Sequence, residues 1–205
     1  MSNVDKNNLL PVYALVGADK LKIQYVLKRL ENKLEKLGDL SFNSNSFDGE
    51  TSNAAEIIQA CIQMPFASEK RYVLVKNAEK LRKSNAEELI NYLENPASTT
   101  ILVLIYSKLA KNTKVYKACQ KISSTAIIDC SPPKKYKIAE GLISVSRSYG
   151  GSINLDAAEK LVELIGEDTM HLDAEIQKLL LNSDSKTITI EQVNKQVLKS
   201  SEIKP

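Results

Sequence analysis

An α/β domain with an open parallel sheet flanked by helices, followed by a small all-helical domain, is the fold class that the 205-residue sequence predicts. Three observations predict it. Over the first two thirds of the chain, short apolar runs alternate with segments whose apolar residues recur every three or four positions. One run, Ile101-Leu102-Val103-Leu104-Ile105, is apolar without alternation, as expected of a strand covered on both faces. After Ser131-Pro132-Pro133 the strand signal stops. Two consecutive prolines join neither a helix interior nor a central strand, so the boundary falls there and divides the chain into domains 1–133 and 134–205.

In order, Val12 to Val16 reads as the first strand, ended by Gly17, and Leu21 to Leu37 as a helix with Leu27, Leu30, Leu34 and Leu37 along one side. Ser41 to Phe47 is a more polar strand ending at Asp48-Gly49. Ser52 to Ile62 is a helix, with Ala55, Ile58 and Ile62 at helical spacing, and Tyr72 to Lys76 is the third strand. Ser84-Asn85-Ala86-Glu87 fits a capping box and starts a helix that runs to Asn95-Pro96. The Ile101 to Ile105 strand, a helix from about Asn112 to Gln120 and a strand from Thr125 to Asp129 complete the first domain. Beyond the prolines, Ile138, Leu142 and Val145 mark one helix, and Asp156 to Ile165, closed by Gly166, a second. Leu172, Ile176, Leu179 and Leu180 mark a third helix. The capping box Thr189-Ile190-Glu191-Gln192 opens the last, through Val193 and Val197.

Composition excludes several classes. With 43% hydrophobic and 26% charged residues the chain is an ordinary globular sequence. No window is apolar for long enough to cross a bilayer, and Met1 to Asn8 is polar, so no membrane partner and a cytoplasmic location are expected. Cys61, Cys119 and Cys130 are widely spaced, which argues for buried thiols over a disulfide framework or thiolate metal site. The net charge of +3 is too small by itself to identify a nucleic-acid binder.

Catalytic constellations are lacking. The connection after the first strand reads Gly17-Ala18-Asp19-Lys20, with one glycine, no Gly-Lys-Ser/Thr, and a carboxylate where a phosphate would sit. After the third strand stands Lys76-Asn77-Ala78-Glu79, whose lone glutamate is read as a solvated or capping residue. His171, the one histidine, is read as structural, and Glu159 with Glu163 as a solvated helix face. No catalytic residue, cofactor or metal is expected, and the chain is read as a non-enzyme.

Two surface features remain. Gln63-Met64-Pro65-Phe66 puts apolar groups on a connection between helix and buried strand, where proline prevents the helix from continuing. On the residues alone, Phe66 folding back as a cover over the core is preferred to Phe66 facing out as a handle for another protein. Lys108, Lys111, Lys114, Lys117 and Lys121 recur at helical spacing around one predicted helix. The bland reading is a solvated face; the alternative is a DNA-binding module, with Lys108, Lys111 and Lys114 facing the nucleic acid. A degenerate nucleotide-binding protein holding phosphate near Gly17 is the other alternative function.

Taken together, Tyr13-Ala14-Leu15-Val16-Gly17-x-Asp19, Ser46-Phe47-Asp48-Gly49 and the run from Met64 to Leu81 closely resemble the delta subunit of the bacterial DNA polymerase III clamp loader. Leu93-Glu94-Asn95-Pro96, Thr100 to Leu104 and the stretch Ala157 to Asp168 continue the likeness over nearly the whole chain. The resemblance implies an AAA+-like domain without a functional phosphate loop, then a helical lid domain, with the family's C-terminal collar domain absent from this sequence. It implies a non-hydrolysing subunit that binds the sliding clamp (the beta subunit) and helps open it for loading onto primed DNA, beside the ATPase and delta-prime subunits. It places the clamp-binding tip on Gln63, Met64, Pro65 and Phe66, and so reverses the preference to an outward-facing Phe66.

Overall fold

In the computed structural model, which describes residues 9–183 and 185–201, the chain divides into two units. Met1–Ala18 and Lys22–Ser131 form one, and Asp19–Leu21 with Pro132–Pro205 the other. The polar stretch Met1 to Asn8 lies outside the described residues.

The first unit is built on strands β1 (Val12–Val16), β2 (Ser44–Asp48), β3 (Arg71–Lys76), β4 (Thr100–Tyr106) and β5 (Ile127–Asp129). They form one sheet in the order β2-β3-β4-β1-β5, and every neighbouring pair is parallel. Parallel neighbours need crossovers, supplied by helices α1 (Lys20–Leu34), α2 (Ala54–Ile62), α3 (Lys83–Glu94) and α4 (Lys114–Ile122). Alternation along β4 sends Leu102 and Leu104 into one core with Ile57, Cys61, Val73, Leu89 and Cys119. It sends Ile101 and Val103 into the opposite core with Leu15, Leu30, Leu34 and Leu74. The continuous apolar run is therefore what a strand at the centre of the sheet requires.

Local boundaries depart from the sequence reading where tertiary contacts decide them. Helix α1 stops at Leu34; Leu37 leaves the helix through a turn, its amide donating to the Leu34 carbonyl, and still packs on the α1 side of the sheet. β2 begins at Ser44, because residues 41–43 form a turn. On α2 the buried face is Ala54, Ile57, Ala60 and Cys61, while Ala55 and Ile62 are exposed. Helix α3 starts one residue before the predicted cap, with the extended Arg82 at the N-cap, so Ser84 falls inside the first turn; the Ser84 side chain lies outside the described residues. A 3-10 turn, Ala78–Lys80, precedes it.

The second unit comprises α5 (Lys135–Ser148), α6 (Leu155–Ile165), α7 (Thr169–Leu181) and α8 (Ile190–Ser201), with strands β6 (Ser152–Ile153) and β7 (Thr187–Ile188). Ile138, Leu142, Leu161, Leu172, Ile176, Leu179 and Val193 fill its core; the Val197 side chain lies outside the described residues. The expectation that no strand follows the prolines is corrected by β6 and β7, which pair in parallel and are joined by a Ser152 hydroxyl bond to the Thr187 hydroxyl. Two residues per strand are too few to carry an alternation in the sequence. The Thr189 to Gln192 capping box is present: the Thr189 amide donates to Gln192 Oε1 at 3.1 Å, and the Gln192 amide to Thr189 Oγ1 at 3.5 Å.

All three cysteines are buried, and none is in a disulfide. Burial pushes Cys61 up to about 12 and Cys119 up to about 11. A disulfide reagent at pH 8 should leave the three thiols unmodified in the native chain and titrate all of them in denaturant, because the attacking species is the thiolate. Leu102→Ala, at a fully buried position of β4, should lower the unfolding free energy by about 2–5 kcal/mol. In urea this appears as a lower midpoint with an unchanged slope.

Candidate functional site

The connection from α2 to β3 carries two large exposed apolar groups, Met64 and Phe66. α2 begins with a capping box, in which the Glu56 amide donates to Asn53 Oδ1 at 2.9 Å and the Asn53 amide to Glu56 Oε2 at 3.4 Å. The helix ends at Gln63, whose backbone is extended (φ −64, ψ 132). Pro65 supplies no donor and biases Met64 away from helical geometry, so the chain leaves the helix at this point. At the end of α2, the buried Thr100 hydroxyl donates to the Cys61 carbonyl at 2.6 Å, tying the helix to the start of β4.

Beyond Pro65 the chain is clasped by one side chain. Asn43, which is 0% exposed, accepts from the Phe66 amide on Oδ1 at 2.7 Å and donates from Nδ2 to the Phe66 carbonyl at 2.7 Å. The same Nδ2 donates to the Asp39 carbonyl at 2.8 Å. Ala67 then takes a left-handed φ of 48, a conformation costing on the order of 1–3 kcal/mol that persists only where its surroundings dictate it. Ser68 forms a bridge to Gly38, and the Glu69 amide donates to the Leu37 carbonyl at 3.2 Å. Gly38 has φ 149, and a Cβ there would overlap Ser68, so the close approach needs glycine.

On this frame Phe66 is 71% exposed and Met64 72%, with Ile62 and Gln63 also exposed and Pro65 half-buried. Phe66 therefore faces solvent and does not cover the core. The sequence reading missed a neighbour: Phe42, 70% exposed, meets Phe66 edge to face with ring centroids 6.4 Å apart and planes at 75°. Asn43 was missed as well. Reading 41–47 as strand hid the turn that carries both. The signal available was Asp39 two residues before Ser41, an Asx-turn pattern. Asp39 Oδ1 accepts from the Ser41 amide at 2.7 Å and from its hydroxyl at 2.6 Å.

The lysines divide into two groups. Lys108 and Lys111 lie on the connection before α4, while Lys114 opens that helix, and all three are exposed. The expected stripe around one helix thus reduces to Lys114, Lys117 and Lys121, which line a groove of about 470 Å³ with Ile90, Leu93, Glu94, Ala118 and Ile122.

The β1–α1 connection is the three residues Gly17, Ala18 and Asp19, too short to wrap a phosphate. The Gly17 amide donates to the Tyr106 carbonyl at 2.9 Å, and a Cβ on Gly17 would overlap the Cys130 backbone. The chain just past β5 therefore fills the space beside this turn. Glu79 accepts from both the amide and the hydroxyl of Ser107, which occupies its carboxylate in holding the ends of β3 and β4 together. His171 is exposed on the first turn of α7, and that helix is capped by Asp168, which accepts from the Met170 and His171 amides. Glu159 and Glu163 are exposed, and Glu163 pairs with Lys160 at 3.0 Å. Among the described residues no cluster has the makings of a metal site, and no helix is long and apolar enough to cross a membrane.

Comparison with known proteins adds the family context. The family model described as DNA polymerase III, delta subunit, matches residues 13–131. DNA polymerase III subunit delta of Bacillus subtilis (strain 168) is 28% identical over 98% of this chain and 60% of its own length. A delta-subunit relative from Aquifex aeolicus (strain VF5) is 25% identical over 93% of this chain and 56% of its own. The chain thus spans about three fifths of the length of these curated relatives. The solved Bacillus subtilis DNA clamp loader delta protein superimposes with a TM-score of 0.74 at 27% identity, over 91% of this chain and 58% of that one. The Thermotoga maritima RuvB Holliday junction branch migration motor, at 13% identity over 96% of this chain and 64% of that one, shares the fold with a TM-score of 0.57. The architecture is the AAA+-like one expected from the sequence.

The turn beneath the tip has a pH signature. Hydrogen bonds from Ser41, first its hydroxyl and then its amide, hold the Asp39 carboxyl below its ordinary 3.8. A depressed acid stabilises fully above its unfolded value, and the contribution is lost as pH falls through the lowered one. The Ser41 amide resonance should therefore titrate with a midpoint below 3.8 and should stop titrating in Asp39→Asn.

Proposed function

Because the chain belongs to the DNA polymerase III delta subunit family, we propose that it docks on the ring-shaped sliding clamp through Gln63, Met64, Pro65 and Phe66 and favours the opened ring. The observation that carries the reading is the outward-facing Phe66 on a hydrogen-bonded tip. A surface aromatic packed on no core gives up little stability by being exposed in the free protein. Entering a preformed apolar pocket it becomes an anchor, and such desolvated anchors are worth about 2 kcal/mol or more each. Opening the ring demands more than tight binding, since a ligand with equal affinity for closed and open states shifts nothing. The tip and α2 are therefore proposed to fit the clamp better once its interface has parted.

The energy for assembly is assigned to partner subunits, an ATPase and a delta-prime subunit, in the cytoplasm. This chain is proposed not to hydrolyse nucleotide, because its β1–α1 turn offers no phosphate cradle and Glu79 is engaged by Ser107. Lys108, Lys111 and Lys114 are the proposed DNA-facing cations within the assembled loader, a role supported by their exposure and by the dominance of phosphate contacts in DNA affinity.

Titration of the cognate clamp with the native chain and with Phe66→Ala tests the reading. The variant should bind at least about tenfold more weakly, equivalent to about 1.4 kcal/mol, with an unchanged melting temperature. Equal affinity would remove Phe66 from the mechanism.

A further inference from the structure

The docking tip has a second aromatic component that comes from a different part of the chain. Phe42 sits on the turn between α1 and β2, separated in sequence from Phe66 by the whole of β2 and α2. Neither ring belongs to either core of the first unit. Their mutual edge-to-face contact leaves each about 70% exposed, so the contact does little to hide them from water. The two rings meet at the surface, with the exposed Ile62 and Met64 just before Phe66 in the chain, and single exposed apolar residues rather than paired ones are what an unused surface carries.

The frame beneath the patch is more costly than a solvent-exposed loop requires. Asn43, the residue after Phe42, is wholly buried and spends its carboxamide on Phe66 and Asp39. Its own carbonyl accepts from the Tyr72 amide at 2.7 Å, fixing the turn to the first residues of β3. The Phe42 backbone is thus held between Asp39 and Asn43, and Phe66 is held by the same Asn43. One side chain sets the spacing of the two rings before any partner arrives, which lowers the ordering cost of binding.

We propose that Phe42 is a second anchor of the clamp-docking surface, entering the clamp's apolar pocket beside Phe66 as one rigid pair. The inference rests on the proposed docking function and commits to the same partner, because the Phe42 ring is continuous with the Phe66 tip. The pocket that receives the pair must be elongated, with room for two rings meeting edge to face.

Two measurements on the full chain test it. Phe42→Ala should weaken clamp binding about fivefold or more without moving the melting temperature. With Phe42 replaced by 4-fluorophenylalanine, the solvent isotope shift of the fluorine resonance should be large in the free chain and should collapse when the cognate clamp saturates it. Wild-type affinity in Phe42→Ala, or a fluorine that stays wet in the complex, overturns the proposal. If either occurs while Phe66→Ala still loses about tenfold, the docking reading survives and only Phe42 leaves it. If Phe66→Ala also binds normally, the docking function itself fails.

Discussion

A parallel strand at the middle of a sheet keeps its place only while helices cover both of its faces, and in this chain that strand is Thr100–Tyr106. Leu102 and Leu104 point to the side of α2, α3 and α4, and Ile101 and Val103 to the side of α1. The crossovers α1 to α4 therefore each bring apolar residues to one face or the other. The tip belongs to this logic. It is the loop leading into β3, and its preceding helix is bonded to β4 through Thr100 and Cys61. Its far side is stitched to the α1–β2 turn by Asn43 and Gly38. A loop fixed at both shoulders can present large apolar groups to water without collapsing onto the core.

The same constraint shapes the end of β1. In open parallel sheets the crevice where strand order reverses is the usual ligand site, and here it falls beside β1, between β4 and β5. The turn there is three residues long and lies against the Cys130 backbone. The neighbouring carboxylate, Glu79, ties strand ends together through Ser107. The end of β1 is thus taken up by packing and strand-end contacts.

Sequence periodicity made most of the scaffold legible. The strands at Val12–Val16, Arg71–Lys76 and Thr100–Tyr106 are apolar runs bounded by turns, and Thr189 and Gly166 marked helix ends through cap chemistry that is local by nature. The apolar tip was legible in its residues, but its outward direction was not: the preference for an exposed Phe66 came from the family likeness. What stayed hidden was set by distant partners. The Ser41 to Asn43 turn resembles a polar strand until Phe66 is known to need the Asn43 carboxamide. The buried face of α2 is rotated away from Ala55 and Ile62 because the sheet receives Ile57 and Cys61. Two-residue strands such as β6 and β7 carry no period at all. Phe42, which meets the Phe66 ring, sat inside the misread strand.

The two borders of the sheet complete the picture. β2, on one flank, runs Ser44-Asn45-Ser46-Phe47-Asp48, and β5, on the other, is only three residues long. Borders that are polar or brief make poor templates for recruiting a stranger's strand. Neither flank therefore invites another copy's strand, and the apolar tip at Met64 and Phe66 can stand in water without the sheet beside it seeding edge-to-edge stacking.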